Sequence, residues 1–325
     1  MKLVVILPAL NEEATVGRVI QAIPRSIPGV DQMEAIVIDD GSTDRTAEAA
    51  RAAGAEVISF GRNRGLGRAF AAGIDAALAA GADLIVNMDA DGQFDPATIP
   101  ELIRPLLEGR AEFATCTRFA RKDLIPKMPG VKRWGNVAVA WGISFLTSHQ
   151  FTDVSCGFRA YSRETALRLN LFGDFTYTQE TFLDLVRKKI PMAEVPLPVR
   201  GQREFGQSRI ADSVLRYGIR AGSIILLALR DTRPLTFFGS IGAGVILTGL
   251  IAGGFVAGHW LATGRTSPYQ SLLTLSALLL ILGFLLIVLA LVADMLGRLR
   301  KNQDEILYLL KKNNFRGPSP GQGSG

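Results

Sequence analysis

Two acidic pairs stand where short apolar runs end: Asp39-Asp40 after Ala35–Ile38, and Asp89-Ala90-Asp91 after Leu84–Met88. Carboxylates at the carboxyl ends of neighbouring strands face one crevice, which is where open α/β sheets bind ligands. Left alone they repel one another and resist joint ionisation, so a cation must accompany them. Mg2+ or Mn2+ meets that need, because such ions take one or two carboxylates and complete their shell from substrate phosphates. Asp89-x-Asp91 therefore reads as a metal clamp on a diphosphate. A calcium loop fails: that pattern needs Gly sixth and Glu twelfth, whereas counting from Asp89 Gly92 is fourth and Pro100 twelfth. An aspartyl-phosphate nucleophile belongs on a first strand. A solvated loop explains one acidic pair well and two pairs poorly.

The run Asn63-Arg64-Gly65-Leu66-Gly67-Arg68 places two glycines and two cations at a helix start. Exposed N–H groups and the helix dipole suit a phosphate there. The first apolar run leads into Pro8-Ala9-Leu10-Asn11-Glu12-Glu13 rather than G-x-G-x-x-G, which disfavours a dinucleotide site. The only histidines are His149 and His259, and no Ser-His-Asp or Cys-His arrangement is apparent. Two cysteines, Cys116 and Cys156, exclude a disulfide-stapled secreted scaffold. Cys156 reads as a buried structural thiol. A net charge of +6 and the basic stretch Arg121-Lys122 and Lys127–Arg133 point to anionic lipid phosphate. Nucleic acid is disfavoured, because aromatic stacking positions are missing.

The elements that must hold these residues alternate strand and helix. Strands are expected at Leu3–Leu7, Ala35–Ile38, Val57–Phe60, Leu84–Met88 and Ala111–Thr117. Helices are expected at Glu12–Ile23, from Ser42 or Thr43 as N-cap to Ala53, at Leu66–Ala80 and at Pro96–Leu107. That rhythm predicts an α/β fold with a mostly parallel, Rossmann-like sheet and helices on both faces. Pro234–Trp260 and Thr266–Val292 contain no Lys, Arg, Asp or Glu, and each is long enough to span a bilayer. Cations flank this hairpin on one side: Arg216, Arg220, Arg230 and Arg233 before it, Arg298, Arg300, Lys301, Lys311 and Lys312 after it. The positive-inside rule then predicts a multi-pass protein of the inner (plasma) membrane with both termini in the cytoplasm. The expected organisation is a catalytic domain over 1–210, interfacial juxtamembrane helices over 211–233 and two transmembrane helices over 234–297, at about 235–260 and 270–294. A cytoplasmic amphipathic helix, with Leu299, Ile306, Leu307 and Leu310 as its apolar stripe, and a disordered tail follow over 298–325.

Six motifs in order resemble glycosyltransferase family 2, in its polyprenyl-phosphate glycosyltransferase (dolichyl-phosphate mannose synthase-like) branch. They are Pro8–Glu12, Asp39–Ser42, Asn63–Gly67, Asp89–Gln93, Asp153–Arg159 (DVSCGFR) and Arg203-x-x-Gly206-x-Ser208-Arg209. The resemblance implies a GT-A fold and a metal-dependent, inverting transfer of one hexose from a UDP- or GDP-sugar to undecaprenyl or dolichyl phosphate, within cell-envelope glycan biosynthesis. It implies that Pro8, Leu10, Glu12, Asp39 and Asp40 line the nucleoside pocket, with Arg64, Gly67 and Ala90 on the donor. Asp89, Asp91 and Gln93 would surround Mg2+ or Mn2+, and Arg203 would close over the diphosphate. Arg118, Arg133, Asn136, Ser208 and Arg209 would bind the acceptor phosphate. Some relatives carry Ser four positions beyond the second acceptor arginine; here Val137 stands there and Asn136 substitutes. Glu180 occupies the place of a base in other members and here orients Arg203 or a sugar hydroxyl. The resemblance also implies homo-oligomers, often tetramers. A processive polysaccharide synthase is the alternative, but Gly130-Val131-Lys132-Arg133-Trp134 lacks the Gln of Q-x-x-R-W. A non-catalytic membrane scaffold or small transporter leaves the acidic pairs unexplained and has no intramembrane charge for a substrate path.

Overall fold

The computed structural model describes residues 1–126, 128, 130–147, 149–170, 177–200 and 234–315. Arg203, Gly206, Ser208, Arg209, the expected interfacial helices and the tail beyond Phe315 lie outside the described residues. The chain divides into two compact units, Met1–Gly222 with Glu305–Gly325, and Ser223–Asp304.

The first unit holds strands β1 (Lys2–Ala9), β2 (Gln32–Asp39), β3 (Glu56–Ser59), β4 (Leu84–Asn87), β5 (Phe113–Thr117), β6 (Arg159–Ser162) and β7 (Met192–Pro196), in the order β3-β2-β1-β4-β6-β5-β7. Neighbours are parallel except β6, which runs antiparallel to both β4 and β5. Around the sheet are α1 (Val16–Gln21), α2 (Thr46–Ala52), α3 (Leu66–Ala79), α4 (Ile99–Leu107), α5 (Gly130–Thr147), α6 (Arg163–Arg168) and α7 (Tyr177–Arg187). β1 is apolar without alternation because helices cover both faces. Leu3, Val5 and Leu7 enter one core with Ile99, Leu102 and Ile103 of α4. Val4 and Ile6 enter the other with Phe70 and Ile74 of α3.

Three element starts differ from the sequence expectation, each for a polar reason. Ser42 and Thr43 do not cap a helix: Ser42 Oγ accepts from Asn11 N at 2.9 Å and Thr43 N donates to Asn11 Oδ1 at 2.9 Å, so α2 begins only at Thr46. Asn11 is left-handed, at φ 57°, and α1 is delayed to Val16. The helix expected from Pro96 opens with a 3-10 turn, Pro96–Thr98, capped by Asp95 Oδ1 accepting from Ala97 N at 3.0 Å.

The second unit contains α8 (Pro234–Thr263) and α9 (Gln270–Asn314) up to Asp304. Both helices are long and apolar enough to cross a membrane. Small residues let their backbones approach: a Cβ on Gly242 would lie 2.9 Å from Gly283 O, and Ser276 Oγ donates to Gly249 O at 2.8 Å. α9 runs unbroken into the expected amphipathic segment, because residues 298–314 are mostly good helix formers. Its last turns belong to the first unit. There Tyr308 is buried, Arg168 lies 4.1 Å over its ring, and Lys311 Nζ donates to Leu169 O at 2.8 Å. Burial pushes the Lys311 ammonium below its usual value, partly offset by Asp75. Of the expected stripe, Leu307 is half-buried and Leu299, Ile306 and Leu310 are exposed.

Candidate functional site

Parallel register brings the acidic strand ends to one edge. Ala9 at the end of β1 pairs with Asp39, and Ile6 pairs with Asn87, so Asp89 continues past the same rim. Asp39 and Asp40 are both buried. Asp39 Oδ1 accepts from Ser42 N at 2.9 Å. Asp40 spends both oxygens on the loop before α3: Oδ1 accepts from Arg64 N at 2.7 Å and Oδ2 from Gly65 N at 3.0 Å. Gly41, which follows Asp40, is left-handed at φ +77°, and a Cβ there would lie against the Arg62 carbonyl carbon. The loop so held opens a cleft of about 500 Å3 lined by Arg62, Asn63, Arg64 and Arg68. Arg64 is exposed and stacks 4.8 Å over Phe60, while Gly67 is buried in the first turn of α3. Pro8 is buried within β1, and Leu10 and Glu12 are half-buried beyond its end.

The second acidic pair sits where antiparallel β6 begins. Asn87 faces Arg159 in register, and its Nδ2 donates to Gly157 O at 2.7 Å. Gly157 thereby approaches Asp89: a Cβ there would lie 3.3 Å from Asp89 Oδ2 and 3.4 Å from Tyr177 OH. Tyr177 stacks 4.6 Å from Phe70. Its phenol is held well above the ordinary tyrosine value by burial and by the nearby Asp89 charge, so it stays protonated. Asp91 is buried and accepts from Gln93 N at 3.0 Å; Ala90 between the two aspartates is also buried. Gln93 O in turn accepts from Arg200 N at 3.0 Å, and Phe94 bridges Val199. The chain thus leaves for Arg203 from a point beside Gln93.

The DVSCGFR segment is clamped from three sides. Glu194 on β7 accepts from Thr152 N at 2.9 Å and Asp153 N at 3.0 Å. Asp153, with its side chain fully buried, receives Arg118 bidentately, Nε to Oδ2 at 2.6 Å and Nη2 to Oδ1 at 3.0 Å. Arg118 also donates to Ser155 Oγ at 2.7 Å. Burial alone would weaken the charge on Arg118, but Asp153 more than offsets it and raises the guanidinium pKa. Arg159 is fully buried beneath the loop and donates to Cys156 O at 2.8 Å and Thr178 O at 2.8 Å, tying the loop to α7. Arg133 is exposed and Asn136 buried near the start of α5; Glu180 is half-buried in the first turn of α7.

The structure therefore brings together Asp39, Asp40, Arg64 and Gly67 on one side of the crevice. On the other, Asp89 meets Gly157 of DVSCGFR, and Asp91 and Gln93 follow it in the chain. Among the described residues no group of three His, Cys, Asp or Glu could hold a metal ion. The donor set fits an ion of the Mg2+ or Mn2+ type, held by the Asp89 and Asp91 carboxylates with its remaining positions left for water and substrate oxygens. Asn87, Tyr177 and Glu194 stand out only in the folded chain. Polar residues inside or just after apolar runs are their sole sequence signal.

The family model described as "Glycosyl transferase family 2" matches residues 4–168. A "Glycosyltransferase AglJ" of Haloferax volcanii is 27% identical over 305 residues, covering 92% of this chain and 95% of that one. A "Dodecaprenyl-phosphate galacturonate synthase" of Rhizobium johnstonii is 27% identical over 308 residues, covering 92% and 88%. Among solved structures, glucosyl-3-phosphoglycerate synthase from Mycobacterium tuberculosis, in complex with Mn2+, UDP and glucosyl-3-phosphoglycerate, is similar with a TM-score of 0.52. It is 27% identical, covering 70% of this chain and 78% of that chain.

Proposed function

The chain belongs to glycosyl transferase family 2, and from that premise we propose that it transfers a single sugar from a UDP- or GDP-hexose to a polyprenyl phosphate, of undecaprenyl or dolichyl type, at the cytoplasmic membrane face. The observation that carries this reading is one chain joining an acidic rim at the ends of β2 and β4 to two helices able to cross a membrane. The name of the Rhizobium johnstonii relative, a dodecaprenyl-phosphate synthase matching 92% of this chain, supports the acceptor. The Mn2+ and UDP of the solved relative support the donor and the ion.

Asp40 is committed to Arg64 N and Gly65 N, which leaves Asp39, with Pro8, Leu10 and Glu12, for the nucleoside. The basic cleft lined by Arg62, Arg64 and Arg68, with Gly67 in the helix turn behind it, suits the donor diphosphate. Asp89 and Asp91, with Gln93 and the Ala90 backbone beside them, would hold Mg2+ or Mn2+, which would supply Lewis-acid stabilisation of the departing diphosphate. Arg203, three residues past the Arg200 contact with Gln93, covers that diphosphate. Arg118, through the Nη1 hydrogens that its Asp153 pair leaves, gathers the acceptor phosphate with Arg133, Asn136, Ser208 and Arg209; the Arg133 and Arg209 forks suit bidentate contact. A phosphate monoester with a second pKa of about 6 is already mostly dianionic at pH 7, so no strong base is required. Glu180 then orients Arg203 or a sugar hydroxyl. The phosphate oxygen bonds to the anomeric carbon as the bond to the diphosphate breaks on the opposite side, which inverts the centre. Homo-oligomers, tetramers among them, use the exposed Ile306 and Leu310 of α9.

The test is a screen of UDP- and GDP-sugars against polyprenyl phosphate, read by the mass of the lipid product, with Mg2+, with Mn2+ and with chelator. One donor should yield product, and Asp91→Asn or chelator should abolish it. Absence of lipid product with every donor refutes the reaction. Full transfer in excess chelator refutes the metal.

A further inference from the structure

α5 is amphipathic in an unusual sense. Asn136, Val139, Ala140 and Ile143 face the core. The opposite face, at the i, i+3, i+7, i+11 spacing of one helix stripe, carries Trp134, Val137, Trp141 and Phe145. Trp134 is 73% exposed, and Trp141 and Phe145 are each 69% exposed. The Trp141 and Phe145 rings stack on one another at 5.8 Å rather than on the domain. Large aromatics are seldom left this open, and contiguous apolar patches mark interaction sites. Two features of the helix choose the partner. Tryptophan prefers the boundary between head groups and acyl chains, where its apolar body is buried and its N–H stays wet. The helix also carries no acidic residue, and exposed Arg133 at its start is complementary to lipid phosphate.

We infer that α5 is a second membrane contact of this protein, lying in the interface of the bilayer with Trp134, Trp141 and Phe145 inserted at head-group depth. The inference rests on the membrane reading of α8 and α9 and is independent of the reaction. Its physical consequence is that the helix carrying Arg133 and Asn136 is held at the level where lipid phosphates lie. An acceptor phosphate then need not leave the interface to be bound.

The three tryptophans of the chain, Trp134, Trp141 and Trp260, make the test internal. The full chain is reconstituted in vesicles of phosphatidylcholine and phosphatidylglycerol with bromine placed near the head-group end of the acyl chains. Trp260→Phe leaves only the α5 pair, and the double variant Trp134→Phe, Trp141→Phe leaves only Trp260. The expected result is loss of α5 emission to brominated lipid, a blue shift, and protection from aqueous iodide. The inference is overturned if iodide quenches the α5 pair fully while Trp260 in the companion variant is quenched by bromolipid: the hairpin is then inserted and α5 is not. If neither is quenched by lipid, the membrane reading itself fails and the inference with it. Protection that appears only on adding polyprenyl phosphate assigns the face to the isoprenoid chain instead. Protection that vanishes on dilution into excess empty vesicles assigns it to a second copy. Both outcomes refute the interfacial assignment.

Discussion

Replacing Arg118 by alanine separates two roles that one side chain serves. Its side chain is 14% exposed, and the Asp153 side chain it grips is wholly buried. Removing one partner of a buried pair strands the other charge and costs about 3–5 kcal/mol. A domain of roughly 200 residues loses about 2–4 °C per kcal/mol, so the melting temperature of Arg118→Ala should fall by roughly 6–20 °C. Adding Asp153→Asn removes the stranded charge and keeps an acceptor for Ser155 N, which Asp153 Oδ1 now meets at 3.0 Å. The double variant should therefore recover to within about 1–3 kcal/mol of the parent, the residue being the lost hydrogen bonds. The assays are thermal unfolding of the full chain in detergent and transfer kinetics with polyprenyl phosphate varied. If Arg118 also binds the acceptor through its remaining Nη1 hydrogens, the double variant is stable yet keeps a raised KM for the lipid. Restoration of both stability and KM would make Arg118 purely structural. A single variant that melts with the parent would refute the energetic argument.

Gly41→Ala should destabilise by more than the roughly 1–3 kcal/mol of left-handed strain, because its Cβ meets the Arg62 backbone. Gly54→Ala, at φ +92° with nothing within 4 Å, serves as the strain-only control in the same melting assay. Burial pushes the Glu194 carboxyl above its model-peptide value of 4.5, against the hydrogen bonds from Asp153 N and Thr152, so the folded chain holds that proton more tightly than the unfolded one. Its contribution to stability is full below pH 4.5 and is lost as pH rises through the folded value; Glu194→Gln should flatten that part of a melting-temperature profile, and an unchanged slope would refute it.

The alternation of apolar runs with helical stretches was enough to place β1 to β5, most directly β1 and β4, because a strand buried on both faces must be apolar nearly throughout. Asp39-Asp40 and Asp89-x-Asp91 were legible for a related reason: charges directly after such runs fall at the strand ends. The two uncharged stretches likewise announce α8 and α9 by length alone. Folding decided the rest, where partners lie far apart in sequence. Nothing local says that β6 inserts antiparallel between β4 and β5, yet that insertion sets Gly157 against Asp89 and brings Tyr177 beside it. Equally hidden was the division of labour among like residues. Asp40 and Asp39 are adjacent and chemically identical, but only the path of the chain through Arg64 and Gly65 consumes both oxygens of the first. The family resemblance offers Arg118 only as an acceptor-phosphate residue, and it is the buried Asp153, thirty-five residues away, that also makes it a clamp. A sequence records which groups a chain owns; which of them are already spoken for depends on distances that exist only once the sheet has closed.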